Sequence, residues 1–225
     1  DLKKYVVASV EPQIVDPSIL YVEMTSKIYY NGGMTDQTPS NIRDKVIDGV
    51  QAYIDTSDTE KFNGKFRYSK FIGVIDDADV SINSNLTSLM MRKDFYPQLN
   101  STFYYEVCFQ NAFDEDCDDP VLSSTGFRVT EYPNFDVYVE DRDKKIVLYR
   151  LDSVTGEKVV LDSDIGDIDY VKGELKMYAL TIIKGSFFDN RISLRVRPLS
   201  NDIKAMREVY LDVDVPNSSF TAFKE

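Results

Sequence analysis

The feature that most constrains this chain is a change of period at Pro97. Beyond it, apolar residues recur at every second position in one short run after another, and helical periods all but vanish. Phe103, Tyr105, Val107 and Phe109 share one face of the first run. Phe127 and Val129 do so in GFRVTEY, and Phe135, Val137 and Val139 in FDVYVED. KKIVLYRL, EKVVLD, IDYVKGELKMYAL, RISLRVRP and VYLDVDV continue the series. VKGE inside one of these runs is a hairpin signal. Many short strands joined by polar turns describe a sandwich or a barrel. Residues 98–225 are therefore expected to form an antiparallel β-sandwich-like domain.

Residues 1–97 read differently. KYVVASV, SILYVEM and SKIYY alternate as strands, with VDPS as a turn and NGGM as a closing loop. Thr38 is placed to cap a helix with Pro39 in its first turn. Ile42, Val46, Ile47, Val50, Tyr53 and Ile54 then share a face, opposite Arg43, Asp44, Asp48 and Gln51. YSKFIGVIDDA reads as a shorter helix burying Phe71, Ile72 and Ile75, weakened by Gly73. NLTSLMMRKDFYP returns as a strand that Pro97 ends. The expected fold class is α+β: a small sheet covered by two helices over 1–97, then the β domain over 98–225.

Composition narrows function by exclusion. The 225 residues carry 26 Lys+Arg against 38 Asp+Glu, a net charge of -12, which opposes nucleic-acid binding. Histidine is absent, so neither a Ser/His/Asp nor a Cys/His centre can exist. No phosphate-binding glycine loop occurs. No apolar run approaches a membrane span, and no signal-peptide pattern opens the chain. The chain opens on DLKKYVV without an initiator Met, as a piece of a longer protein would. Cys108 and Cys117 are read as two free thiols of a reducing compartment. Sequons at Asn85, Asn100 and Asn217 are discounted without a secretory signal. We expect no enzyme, cofactor, metal or small-molecule substrate.

Two acidic clusters and one charge pattern remain. In DEDCDD, Asp114, Asp116 and Asp118 follow the opening of a calcium loop, beside Glu115, Cys117 and Asp119. Asp119 and Thr125 then stand where such a loop needs Gly and Glu. The run reads as a solvated strand connection. In DSDIGDIDY, Asp162, Asp164, Asp167 and Asp169 surround Gly166, which reads as a turn. Arg191, Ser193, Arg195 and Arg197 alternate with Ile192, Leu194 and Val196, as Tyr210, Asp212 and Asp214 do with Val209, Leu211, Val213 and Val215. An antiparallel pairing of these two strands would make an internal charge ladder, which we favour over a phosphate site or a docking surface. Tyr29, Tyr30, Tyr104 and Tyr132 are candidate exposed interface anchors.

VDPSILYVEM, KFNGKFRYSKF, MMRKDFYP, SSTGFRV and RPLSNDI together resemble the C-terminal half of the baseplate wedge proteins of T-even-type contractile-tailed bacteriophages, within the baseplate J-like group. The resemblance implies a structural virion subunit made in the bacterial cytoplasm and built into the tail baseplate. It implies self-association as a dimer and in ring contacts between wedges, binding to other wedge proteins, and a part in the rearrangement that triggers sheath contraction. No catalytic or interface residue carries over, and DEDCDD has no counterpart in the pattern. The rival reading of the residues is a carbohydrate-binding or adhesive β-sandwich module, against which the absence of Trp counts.

Overall fold

In the computed structural model, which describes residues 18–115, 119–206 and 208–225, SILYVEM and SKIYY are one unbroken strand, β1 (Ile19–Tyr30). Alternation continues through Thr25 and Ser26 without a turn former, so nothing stops the strand. The strand expected in KYVVASV lies outside the described residues, as do Asp116, Cys117 and Asp118. Helix α1 (Pro39–Thr56) starts where the cap predicts, with the Thr38 hydroxyl accepting from the Asn41 amide at 3.2 Å. It buries Ile42, Val46, Val50 and Ile54.

Strand β2 (Lys65–Phe66) leads into α2 (Tyr68–Asp76), which buries Phe71 and Ile75. Arg67 precedes α2 without capping it through its own side chain. The cap comes from far along the chain. Asp202 accepts from the Tyr68 amide at 3.0 Å and pairs with Arg67 at 2.7 Å. Strand β3 (Ile82–Phe95) follows α2 and lies antiparallel to β1.

The remaining strands are β4 (Thr102–Cys108), β5 (Leu122–Ser124), β6 (Phe127–Val129), β7 (Tyr132–Arg142), β8 (Lys145–Leu151), β9 (Lys158–Asp169), β10 (Glu174–Lys184), β11 (Ile192–Val196), β12 (Ile203–Lys204), β13 (Tyr210–Val213) and β14 (Ser219–Lys224). They do not form a sandwich behind a separate helix-covered sheet, and the expected architecture is overturned. Most strands of both halves belong to one twelve-stranded mixed sheet. β11 pairs with β3, while β13 and β14 pair in parallel with β1. β12 pairs with β2 in a small second sheet. α1 and α2 cover only the end of the sheet made by β1, β3 and β14.

At the other end the sheet rolls into a barrel-like form. β6, β7, β8, β9 and β10 pair in succession, and β10 returns to β6 through Ile182 opposite Val129. Sandwich and barrel strands alternate in the same way, so period alone cannot separate them. The β7–β8 turn places Asp143 and Lys144 at φ 50° and 64°, the left-handed pair of a two-residue hairpin, without the usual glycine. VKGE does turn as expected, with Gly173 at φ 68°. Gly166 is not in a turn. It sits inside β9, where a Cβ would lie 2.2 Å from the Lys176 carbonyl oxygen of β10.

The core follows one row of the sheet. Val213, Val22, Met91, Val196 and Leu122 stand opposite one another or share the next register across five strands, and all are buried. Among the described residues no helix is long and apolar enough to cross a membrane.

The turn between α2 and β3 is tied to α1 by one carboxylate. Asp79 accepts from Lys45 Nζ at 2.6 Å, and from the Ser81 amide and hydroxyl at 3.0 and 2.6 Å. The Lys45 and Ser81 hydrogen bonds lower its pKa from 3.8 to about 2. Because the folded value lies below the unfolded one, this stabilisation is full above about pH 4 and disappears as the pH falls towards 2. Asp79→Asn is expected to cost roughly 1 kcal/mol at pH 7, with the gap to the parent chain closing near about pH 2. Urea titrations across that range measure it.

Candidate functional site

Where the two halves meet, the face of the sheet opposite the apolar row carries charge. Register places Asp212 of β13 opposite Tyr21 of β1, and Tyr21 opposite Arg92 of β3. Arg92 then stands opposite Arg195 of β11, Arg195 opposite Ser123 of β5, and Ser123 opposite Glu140 of β7. Two arginines side by side on neighbouring strands repel. Glu23 of β1 resolves this by holding both. Arg195 binds it with Nε at 2.7 Å and Nη2 at 3.2 Å, and Arg92 Nη1 donates to the same carboxylate.

Arg92 is 5% exposed. Its Nη1 lies 2.7 Å from Asp214 and its Nε 3.2 Å from Asp94, the latter off the hydrogen-bond direction. The guanidinium also stacks 4.1 Å over the Tyr21 ring. Arg191 reaches Asp94 at 3.4 Å. Three arginines thus face Glu23, Asp94 and Asp214. Burial is the largest influence on Arg92 and opposes its charge, but the surrounding carboxylates outweigh it and raise its pKa. Asp212, beside Glu60 and Asp214, is pushed up chiefly by burial.

The charge ladder expected from pairing β11 with β13 does not form; Arg195 of β11 and Arg191 just before it meet Glu23 of β1 and Asp94 of β3 instead. β11 and β13 do not pair; β1 and β3 lie between them. Glu23, Arg92 and Asp94 escaped the sequence reading. The signal was present as charges at alternate positions in YVEM and MMRKDF, opposite the apolar parity of the same strands. The side chains at the centre of the cluster, Arg92 with Glu23, Asp94 and Asp214, are buried, and their opposite charges tie the junction together.

The surface residues divide. Tyr30 is fully buried, which removes it as an anchor. Tyr29 stacks on Phe223 at 5.6 Å, and Tyr132 on Phe135 at 5.7 Å. Tyr104 is 77% exposed. In the acidic run, Phe113 is buried and bridges to Pro198, and Glu115 pairs with Lys144 at 2.7 Å, which holds the connection's described start against the fold. Asp164 and Asp167 share Lys145 at 3.2 and 2.8 Å. Asp169 caps its own turn by accepting from the Lys172 amide at 2.9 Å. Among the described residues no group of three or more acids or thiols is arranged to hold a metal. The sequon amides of Asn85 and Asn217 are spent on Asp76 and Asp214.

The most exposed aromatic is one the sequence reading passed over. Phe188 projects fully into solvent from the β10–β11 connection. That connection is stiff. Gly185 and Ser186 amides bond across it to Asn190 Oδ1 and the Arg191 carbonyl at 3.2 and 3.1 Å, and the Asn190 amide to the Phe187 carbonyl at 2.9 Å. Arg191 packs 4.4 Å over Phe187, and the Tyr96 hydroxyl reaches Asp189 at 3.5 Å. Phe188, Phe187 and Tyr96 form an exposed aromatic tip on a rigid support, the composition of a protein contact.

Comparison with known proteins agrees with the resemblance. Residues 18–94 match the family model described as the C-terminal domain III of the baseplate structural protein gp6. The chain is also 34% identical over 98 residues to the baseplate wedge protein gp6 of Enterobacteria phage T4. That alignment covers 42% of this chain and 15% of the relative. Both matches are to baseplate proteins, the kind of protein that the sequence segments resemble, and the chain spans a small part of the relative's length. The family match takes in β1, α1, β2, α2 and nearly all of β3, and so includes Glu23, Arg92 and Asp94.

Removing the guanidinium shared by the two halves tests the cluster. Arg92→Met leaves three carboxylates around one site and is expected to cost roughly 3–5 kcal/mol. Arg195→Met is expected to cost about 1–2 kcal/mol, because its partly exposed guanidinium leaves Glu23 still held by Arg92. Chemical denaturation of both variants reads the difference.

Proposed function

We propose that this chain is part of a structural, non-enzymatic subunit of a contractile phage tail baseplate wedge. In this reading it makes inner-ring contacts with copies of itself and with other wedge proteins, and takes part in the rearrangement that accompanies sheath contraction. The match of residues 18–94 to the gp6 domain carries the proposal. Three features of the chain support it. The sheet is clamped by a buried ion cluster, which suits a part that transmits force. The Phe188 tip offers an exposed aromatic anchor on a stiff loop. The charge of -12 keeps unassembled copies apart in solution.

Phe188→Asp tests the contact role. The side chain touches solvent on all sides, so the fold is expected to be unchanged by circular dichroism and melting temperature. Assembly is expected to suffer: co-purification with the other wedge proteins from infected cells should fall at least about tenfold. Full incorporation of the variant into wedges would remove this loop from the assembly surface. Failure of the unaltered chain to associate with itself or any wedge protein would overturn the proposal.

A further inference from the structure

We infer that the groove beside the open edge of β9 is a docking slot for an extended, basic polypeptide segment of a partner, which enters as a strand added to β9. β9 and β10 pair only from Gly166 opposite Met177 to Asp169 opposite Glu174. Beyond that the two strands separate. β9 from Lys158 to Ile165 is bonded to β8 on one edge and to no described strand on the other. β10 keeps β4 on one edge, where the Asn100 amide donates to the Ile182 carbonyl, and beyond Leu180 it turns its other edge to β6, where the Thr130 amide donates to the Thr181 carbonyl, so the open edge is that of β9. A strand edge that lacks a partner is a template for strand addition.

The cause lies in β9. The register with β8 slips twice between Ile146 and Tyr149, and the Asp162 carboxylate takes the Asp164 amide at 3.0 Å within its own strand. Gly166, where β9 and β10 last touch, comes so close to the Lys176 carbonyl that a side chain could not fit. The strands are pinched there and part beyond it.

The opening is a groove of about 620 Å³, within the size range of binding clefts. Its floor is Val129, Leu148 and Leu180, all buried, and its walls carry Tyr104, Tyr132 and Tyr178. Its charged lining is Glu131, Asp162 and Asp164, with no lysine or arginine. Lys145 pairs with Asp164 at the groove's margin, 5.9 Å over the Tyr178 ring, and leaves Glu131 and Asp162 to face the groove. Acid and tyrosine together select a cationic strand: carboxylates pair with the charge, and ring faces hold Lys or Arg stems. This inference rests on the β9 edge and the lining alone, so it stands whether or not the baseplate proposal does.

The probes are synthetic octapeptides of alternating Lys and Val, and of alternating Glu and Val, labelled for fluorescence anisotropy against the full chain. The Lys–Val peptide is expected to bind at least about tenfold more tightly than the Glu–Val peptide. The double variant Asp162→Asn, Asp164→Asn, changed only at exposed side chains, should weaken it at least about fivefold. A Lys–Val peptide N-methylated at every residue keeps its charge but loses the backbone donors of both edges, and should bind at least about tenfold more weakly. Equal binding of the Lys–Val and Glu–Val peptides would overturn the charge selection. Equal binding of the N-methylated peptide would overturn strand addition. Unchanged affinity of the double variant would place the peptide elsewhere. None of these outcomes depends on wedge proteins, so failure here and failure of the baseplate proposal are separately readable.

Discussion

Strand register brings Arg92 and Arg195 face to face on β3 and β11, and the rest of the structure depends on how that repulsion is met. Glu23 on β1 takes hydrogen bonds from both, and Asp94 and Asp214 close around Arg92. These groups come from near the start, the middle and the end of the chain. A buried, matched cluster of this kind adds little net stability compared with apolar packing, but a partner missing from it is costly. It therefore disfavours registers in which β1, β3, β11 and the end of β13 do not meet.

The same junction explains why the helix-covered end and the barrel-like end share one sheet. The apolar row of Val213, Val22, Met91, Val196 and Leu122 lies on the opposite face of the strands that carry the charged row. One face thus joins the halves by burial and the other by charge. Asp202 adds a third tie by capping α2 from the C-terminal half. With the joint tied, the molecule displays features at its margins: the Phe188 tip and the open edge of β9.

Local features were legible where local physics decides. Thr38, Pro39 and the spacing from Ile42 to Ile54 marked α1, and VKGE marked the β9–β10 turn. The break after SILYVEM was misread because a polar pair, Thr25 and Ser26, interrupted the apolar run without bending the backbone. DSDIGDIDY was misread as a turn because aspartates and a glycine are turn formers. In the structure the glycine serves close strand approach instead, which is a property of two strands together. The aromatics were half legible: Tyr104 is exposed and Tyr30 buried, though both sit in alternating runs.

By itself the sequence determined the periods, the cap of α1, the absence of histidine chemistry, the acidic balance and the likeness to baseplate wedge proteins. Each depends on residues near one another in the chain or on composition. Only the tertiary structure decided that β1 and β3 stand between β11 and β13, that the later strands roll into a barrel-like form rather than a sandwich, and which charges meet. Strand order and closure arise from pairings between residues far apart in sequence, and alternation is the same whichever neighbour a strand takes.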